Sequence, residues 1–226
     1  MNRFLKRAWA EIDLDALEHN YNEIKKLAKG KDILAVVKAN AYGHDDKAVC
    51  LKLQELGVKY YGVSNLWEGE KLRCHGITGT ILTFGYTDED YFDELLEYGI
   101  TQTAGSVQYA KQLSDYAVSK GVKLPVHIKV NTGMTRVGID SQQEMLDILA
   151  MPGLDCKAAY THFAAADSLD PSDVEYTDRQ QEKLMKIAKD KGLLIHSQNS
   201  GGIIYHGDFG GDIVRAGVIL YGHYPN

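Results

Sequence analysis

The chain has 226 residues, enough for one large domain or two small ones, and its 44% hydrophobic and 25% charged residues are ordinary for a soluble globular protein. A formal charge of −6, from 25 Lys+Arg against 31 Asp+Glu, speaks against nucleic acid as a partner, because phosphate recognition needs clustered Lys and Arg. Three widely spaced cysteines (Cys50, Cys74, Cys156) with no C-x-x-C pair argue against a disulfide framework or a zinc site, so no metal is expected and a reducing compartment is. There is no apolar run of membrane-span length, and no signal-peptide core follows the basic start Met1–Arg7, so the reading is a cytoplasmic protein.

In chain order, helical spacing predicts a helix from Leu14 to Ala28, with Asp13 or Asp15 as its N-cap. Short apolar, β-branched runs then predict eight strands: Ile33–Ala39, Tyr60–Ser64, Gly79–Phe84, Thr101–Ala104, Val126–Val130, Lys157–His162, Leu194–Gln198 and Val214–Tyr221. Amphipathic segments lie between them. Examples are Ala48/Leu51/Leu53/Leu56, Tyr91/Leu95/Leu96 and Tyr109/Leu113/Tyr116. Gly57, Gly99, Gly121 and Gly192 stand where helices are expected to end.

Buried parallel strands read as continuous apolar runs, and eight βα units are the count of a (β/α)8 TIM barrel. An open doubly wound sheet or two smaller α/β domains would give the same alternation. No Pro/Gly/Ser-rich linker between residues 120 and 200 separates two domains, so a single α/β barrel over residues 1–226 is favoured. Chemistry in such a barrel sits at the C-terminal ends of the strands. The polar residues there are Lys38, Asn40 and Tyr42; Lys129, Asn131 and Arg136; His162; Asn199 and Ser200; and Arg215 with Gly217.

Lys38 ends an apolar run, and burial would disfavour its ammonium, as a Schiff-base lysine requires. The competing reading is a lysine that snorkels to water from a strand end. The surrounding run, Ala35-Val36-Val37-Lys38-Ala39-Asn40-Ala41-Tyr42-Gly43-His44, resembles the cofactor-lysine motif of the alanine racemase family. Further similar stretches follow in the family's order: Arg7–Leu14, Lys129–Gly138, Tyr160–Ala164, Asn199-Ser200 and Val214–Gly217.

The resemblance implies a barrel that binds pyridoxal 5'-phosphate (PLP) and interconverts L- and D-alanine, a peptidoglycan precursor. Serine is the alternative substrate. A barrel that binds PLP without racemising, or a barrel enzyme without PLP, are the readings outside it. By the same resemblance, Lys38 would carry the cofactor and act as one of two bases at Cα. Tyr42, Ser200 and the N–H groups of Gly217 and Val218 would hold the phosphate. Arg215 would face the pyridine nitrogen and leave it unprotonated, since a guanidinium has no acceptor. His162 would lie beside the ring and hydrogen-bond Arg215. Arg136 would bind the substrate carboxylate, with Lys129, carbamylated in some members, positioning it.

The sequence departs from the family pattern in two places. Asp45-Asp46 stands where glycine usually follows Tyr-Gly-His, and Asp45 is expected to cap the next helix. The family's C-terminal β domain, which supplies a second catalytic tyrosine to a homodimer partner, is not in these 226 residues, and Tyr86, Tyr205, Tyr221 and Tyr224 do not stand at that tyrosine's position. The 226 residues alone are therefore expected to racemise poorly.

Overall fold

A computed structural model describes residues 8–225; Arg7, which opens one of the stretches above, lies outside the described residues. Helix α1 (Leu14–Leu27) comes first, and the Asp13 carboxylate caps it by accepting from the N–H groups of Asp15 and Ala16. Eight parallel strands follow: β1 (Asp32–Val36), β2 (Tyr60–Val63), β3 (Thr80–Thr83), β4 (Thr101–Ala104), β5 (Leu124–Lys129), β6 (Leu154–Tyr160), β7 (Leu194–His196) and β8 (Ile213–Ala216).

The pairing order is β7-β6-β5-β4-β3-β2-β1-β8, so each strand lies beside its sequence neighbour and β8 returns to β1. The last seam is closed by two backbone bonds, Asp212 N–H to Ile195 O and Arg215 N–H to Gln198 O, both 2.8 Å. The result is the nearly closed α/β barrel that the alternation predicts. Outside it lie α2 (Lys38–Tyr42), α3 (Asp46–Glu55), α4 (Leu66–Cys74), α5 (Phe92–Glu97), α6 (Val107–Ser119), α7 (Gln142–Leu149), α8 (Pro171–Ala188) and α9 (Ser200–Tyr205).

The core has two parts because strand side chains alternate in direction. Ile33, Ala35, Tyr61, Ile81, Val126, Ile128, Ala159, Ile195 and Val214 pack outward against the helices. A smaller cluster of Leu34, Val36, Leu82 and Ile213, with Tyr60 and Phe84, fills one side of the barrel interior. Gly62 makes room for it, since a Cβ there would come 2.6 Å from Phe84 Cζ and 2.7 Å from a Leu34 methyl. On the other side, β5–β8 carry the buried polar residues His127, Lys129, His196 and Arg215.

Several predicted ends are corrected. β1 stops at Val36, so Lys38 is not in a strand; it opens α2. β8 stops at Ala216, and Val218–Tyr221 coil into a 3-10 turn instead of extending the strand. β6 starts at Leu154, three residues before its predicted start at Lys157. There Lys157 forms a bulge opposite Val126/His127, which breaks the alternation that would have revealed the strand's first half. Gly57, Gly99 and Gly121 do follow helix ends with positive φ. Gly192 also has positive φ, at 72°, but it lies beyond the helix end: α8 stops at Ala188 and Asp190 takes the nearer left-handed position.

Candidate functional site at the C-terminal mouth of the barrel

The mouth is built around α2. Ala39, Asn40 and Ala41 have φ of 52 to 57° and ψ of 47 to 50°, and Tyr42 has φ of 53°, so this is one turn of left-handed helix in residues that are not glycine. Such backbone costs about 1–2 kcal/mol per residue and persists only where its surroundings impose it. Here the carbonyls of Val37 and of Ala39–Tyr42 are taken up. Val37 O accepts from Ala41 N–H, and Ala39 and Asn40 O from Gly43 N–H. His44 Nδ1 lies 3.1 Å from both Ala41 O and Tyr42 O. The His44 ring stacks on Tyr221 at 4.8 Å, and the Tyr221 hydroxyl donates to Val36 O. His44 and Tyr221, one of which the sequence reading rules out as a catalytic tyrosine and the other of which it leaves without a role, thus brace the turn. Asp45 has φ of 66° and caps α3 through the N–H groups of Lys47 and Ala48, as expected of the residue replacing glycine.

The turn leaves Lys38 half-buried, with Nζ 6.0 Å from the centre of the Tyr42 ring, so the burial expected for it is only partly met. Tyr42 reaches toward Gly217 and Ser200. A Cβ on Gly217 would sit 3.2 Å from Tyr42 Oη and 3.5 Å from Ser200 Oγ, and Gly217 N–H donates to Ser200 Oγ at 3.1 Å. Three neutral donors therefore meet at a spot kept open by the absence of a side chain. Burial raises the Tyr42 phenol, which keeps it a donor. Val218 is the next residue, half-buried. This cradle fits a phosphate.

Arg215 crosses the barrel mouth, 3% exposed. Among the described residues it makes no ion pair. Nη1 donates to His196 O at 2.8 Å, and Nη2 donates to Thr161 O at 2.7 Å and Ser197 O at 2.9 Å. These carbonyls close the ends of β6 and β7, and their dipoles do what a carboxylate would. The contact with His162 Nδ1, at 3.5 Å, is at the limit of a hydrogen bond, weaker than the sequence reading has it. Arg215 Nη1 also approaches His196 Nδ1 at 3.3 Å, and His196 Nε2 lies 3.1 Å from His127 Nδ1. A guanidinium only donates, so His196 Nδ1 accepts, its Nε2–H donates to His127, and both imidazoles are neutral. Tyr160 stacks on His196 at 4.6 Å and shares a 2.8 Å hydroxyl bond with Thr103. None of His127, His196 or Tyr160 was singled out from sequence. Each sits in an apolar run whose alternation gives no sign of a polar interior.

Lys129 is 3% exposed, 5.3 Å from the centre of the Tyr160 ring, and donates to Val130 O at 3.1 Å. Burial, then the charges of Arg215 and Arg136, pull its ammonium down to about 7. Among the described residues no hydrogen bond joins Lys129 to Arg136. Arg136 is exposed on the loop after β5. That loop is pinned by Asn131 Oδ1, which accepts from Gly133 and Thr135 N–H, and by the Tyr176 hydroxyl on Gly133 O. Gln180 of α8 ties the same loop to β6: its amide donates to Thr132 Oγ1 and His162 O and accepts from Ala164 N–H. Asn40 and Asn199 are turned to structural work, holding Asp46 N–H and capping α9.

Burial, then the neighbouring cations, lowers His162 to about 3, and burial alone lowers His127 to about 4. Unfolded histidines titrate near 6.5, so below that pH the unfolded chain takes up protons that the folded one refuses. Stability is therefore full above about pH 6.5 and is lost as pH falls toward 4, on the order of 3 kcal/mol from the fully buried His127. Urea unfolding at pH 7 and pH 4.5 is expected to show this loss, and His127→Gln is expected to flatten it; an unchanged pH dependence in the variant would count against the neutral pair.

Arg215, Lys129, Lys38, Arg136 and the three histidines share the mouth, and among the described residues no carboxylate pairs with any of the four cationic side chains. The fold and the site define a (β/α)8 barrel with a lysine and a phosphate cradle on one mouth, lined with donors for an anionic ligand. The comparison with known proteins narrows that class: residues 12–225 match the alanine racemase N-terminal domain, and the chain belongs to that family. It is 39% identical to the alanine racemase of Clostridium perfringens over 236 aligned positions, which span 100% of this chain and 60% of that protein. A solved alanine racemase of Clostridium difficile in complex with cycloserine is 36% identical with a TM-score of 0.91, over 99% of this chain and 64% of that one. A histidine racemase from Leuconostoc mesenteroides is 27% identical with a TM-score of 0.89, over 99% of this chain and 61% of that one.

Proposed function

We propose that this chain is the PLP-carrying barrel of a cytoplasmic amino-acid racemase acting on alanine, with Lys38 as the cofactor lysine. The observation that carries the reading is the convergence of Tyr42, Ser200 and Gly217 beside Lys38, in a mouth where, among the described residues, no carboxylate pairs with Lys38, Lys129, Arg136 or Arg215. The named curated relatives support alanine over serine. The similar histidine racemase means that the barrel alone does not choose the substrate.

Lys38 would hold PLP covalently, and Tyr42, Ser200 and the N–H groups of Gly217 and Val218 would hold its phosphate. PLP, when bound, withdraws electrons from the amino acid's Cα–H bond. Arg215 contributes by what it cannot do: it offers the pyridine nitrogen no proton acceptor, and so weakens that withdrawal and discourages side reactions such as transamination. His162, held neutral by burial and by its cationic neighbours, would line the ring's side of the mouth without adding charge. The Arg136 guanidinium binds the substrate carboxylate. Lys38 Nζ would take the Cα proton of the bound amino acid from one face and return it. Lys129, lowered to about 7 by burial and by the charges of Arg215 and Arg136, would be nucleophilic enough as a partly neutral amine to take up carbon dioxide as a carbamate, which would put a negative charge beside Arg215 and Arg136. The working assembly, by this reading, is a homodimer in which a partner supplies the opposite base.

The test uses the 226-residue chain loaded with PLP in heavy water. Deuterium is expected to enter Cα of one enantiomer of alanine faster than optical rotation is lost, because Lys38 works one face. A chain that binds PLP but exchanges no Cα proton would remove the racemase reading. Equal rates at an enzyme's normal turnover would place a second base within these residues.

A further inference from the structure

We propose that Glu68 is a positioning residue for Lys38, holding the left-handed turn in the orientation the cofactor needs. This rests on the reading that Lys38 carries PLP. The β1–β2 ladder ends with Val37 N–H on Gly62 O at 2.9 Å. Ala39 N–H, next to Lys38, has no strand partner to continue that ladder. It donates instead to Glu68 Oε1 at 2.8 Å, while Glu68 Oε2 accepts from Ser64 N–H at 2.7 Å. One carboxylate therefore joins the exits of β1 and β2, just where Lys38 leaves the sheet.

Glu68 is itself fixed. It is half-buried in the first turn of α4, and its N–H donates to Asn65 Oδ1, the helix N-cap, at 3.0 Å. From sequence, Asn65-x-x-Glu68 reads as an ordinary capping pair. In that arrangement the glutamate would return to the N–H of its own cap. Here it reaches one residue further back, to Ser64, and spends its second oxygen on Ala39. A carboxylate accepting two backbone N–H groups makes charge-assisted bonds, stronger than neutral ones. A second tether holds the next residue: Asn40 Oδ1 accepts from Asp46 N–H at 3.1 Å and lies 3.4 Å from Lys71 Nζ, which pairs with Asp46 at 2.9 Å. The left-handed turn is thus gripped from α4 at Ala39 and from α3 at Asn40.

Glu68→Ala removes both acceptors, and Glu68→Gln keeps one. Asn65→Ala removes the cap of the same helix, and with it the acceptor of the Glu68 N–H, but leaves the Glu68 carboxylate its bonds to Ala39 and Ser64, so it separates helix stability from those two bonds. Each variant is titrated with PLP, the visible band of the lysine imine is followed, and borohydride-reduced protein is mapped for phosphopyridoxyl-lysine; urea unfolding without PLP runs in parallel. Glu68→Ala is expected to weaken imine formation at Lys38 by about tenfold or more, with Glu68→Gln between it and the parent. Asn65→Ala is expected to form the imine like the parent even where it unfolds more easily. Parent-like affinity in both Glu68 variants, or an equal loss in Asn65→Ala, would overturn the proposal. A parent protein not labelled at Lys38 would instead overturn the reading of Lys38, and this proposal with it.

Discussion

Protein with Lys38 replaced by alanine is expected to retain no PLP after borohydride reduction and to lose Cα-proton exchange by at least about 10²–10⁴-fold, the usual loss when one positioned acid–base group is removed. The effect is large because one Nζ has two tasks, holding the cofactor and moving the proton. The informative competitor is Lys129, whose amine is partly neutral near pH 7. Lys129 is 3% exposed and enclosed by Tyr160 and the Val130 carbonyl, whereas Lys38 is half-buried on the turn at the mouth. Peptide mapping of the reduced parent should therefore find phosphopyridoxyl on Lys38 alone. Label on Lys129, or equal label in Lys38→Ala, would show that the cofactor lysine has been misassigned.

The second large effect is expected at Arg215. Arg215→Glu takes N–H donors away from the carbonyls of Thr161, His196 and Ser197 and puts a buried carboxyl group beside them. Leaving buried acceptors unpaired costs about 1–3 kcal/mol each, so a loss on the order of 3 kcal/mol or more is expected in urea unfolding. Arg215→Lys keeps a cation, but a point charge cannot serve three carbonyls at once, so an intermediate loss is expected. The chemical effect separates from the structural one. In whichever variants still bind PLP, glutamate gives the pyridine nitrogen a proton acceptor and lysine does not. Adding alanine should then produce a long-wavelength absorption band with Arg215→Glu only. Identical spectra for parent, lysine and glutamate proteins would mean that Arg215 does not face that nitrogen.

Sequence by itself determined the features that are local. Apolar runs at strand length, separated by amphipathic segments, specify eight βα units, because burial on both faces of a parallel sheet leaves that trace. The cap at Asp13, one of two candidates with Asp15, and the helix ends at Gly57, Gly99 and Gly121 were readable because each is satisfied within a few residues. The resemblance around Lys38 pointed to the residues at the mouth, but not to how they are held. Only the tertiary structure decided that. The left-handed turn at Ala39–Tyr42 has no signature in composition, because neither Ala nor Tyr prefers it and Glu68, His44 and Tyr221 impose it from elsewhere. The polar half of the barrel was equally hidden: His127 and His196 are 69 residues apart and become a hydrogen-bonded pair only when β5 and β7 come to lie on either side of β6. Arg215 looks like a charge in need of a carboxylate until β6 and β7 bring three carbonyls to it. Periodicity records which side of a strand is buried, but a buried polar group is defined by its partner, and partners across a barrel are set by closure of the sheet rather than by neighbours in the chain.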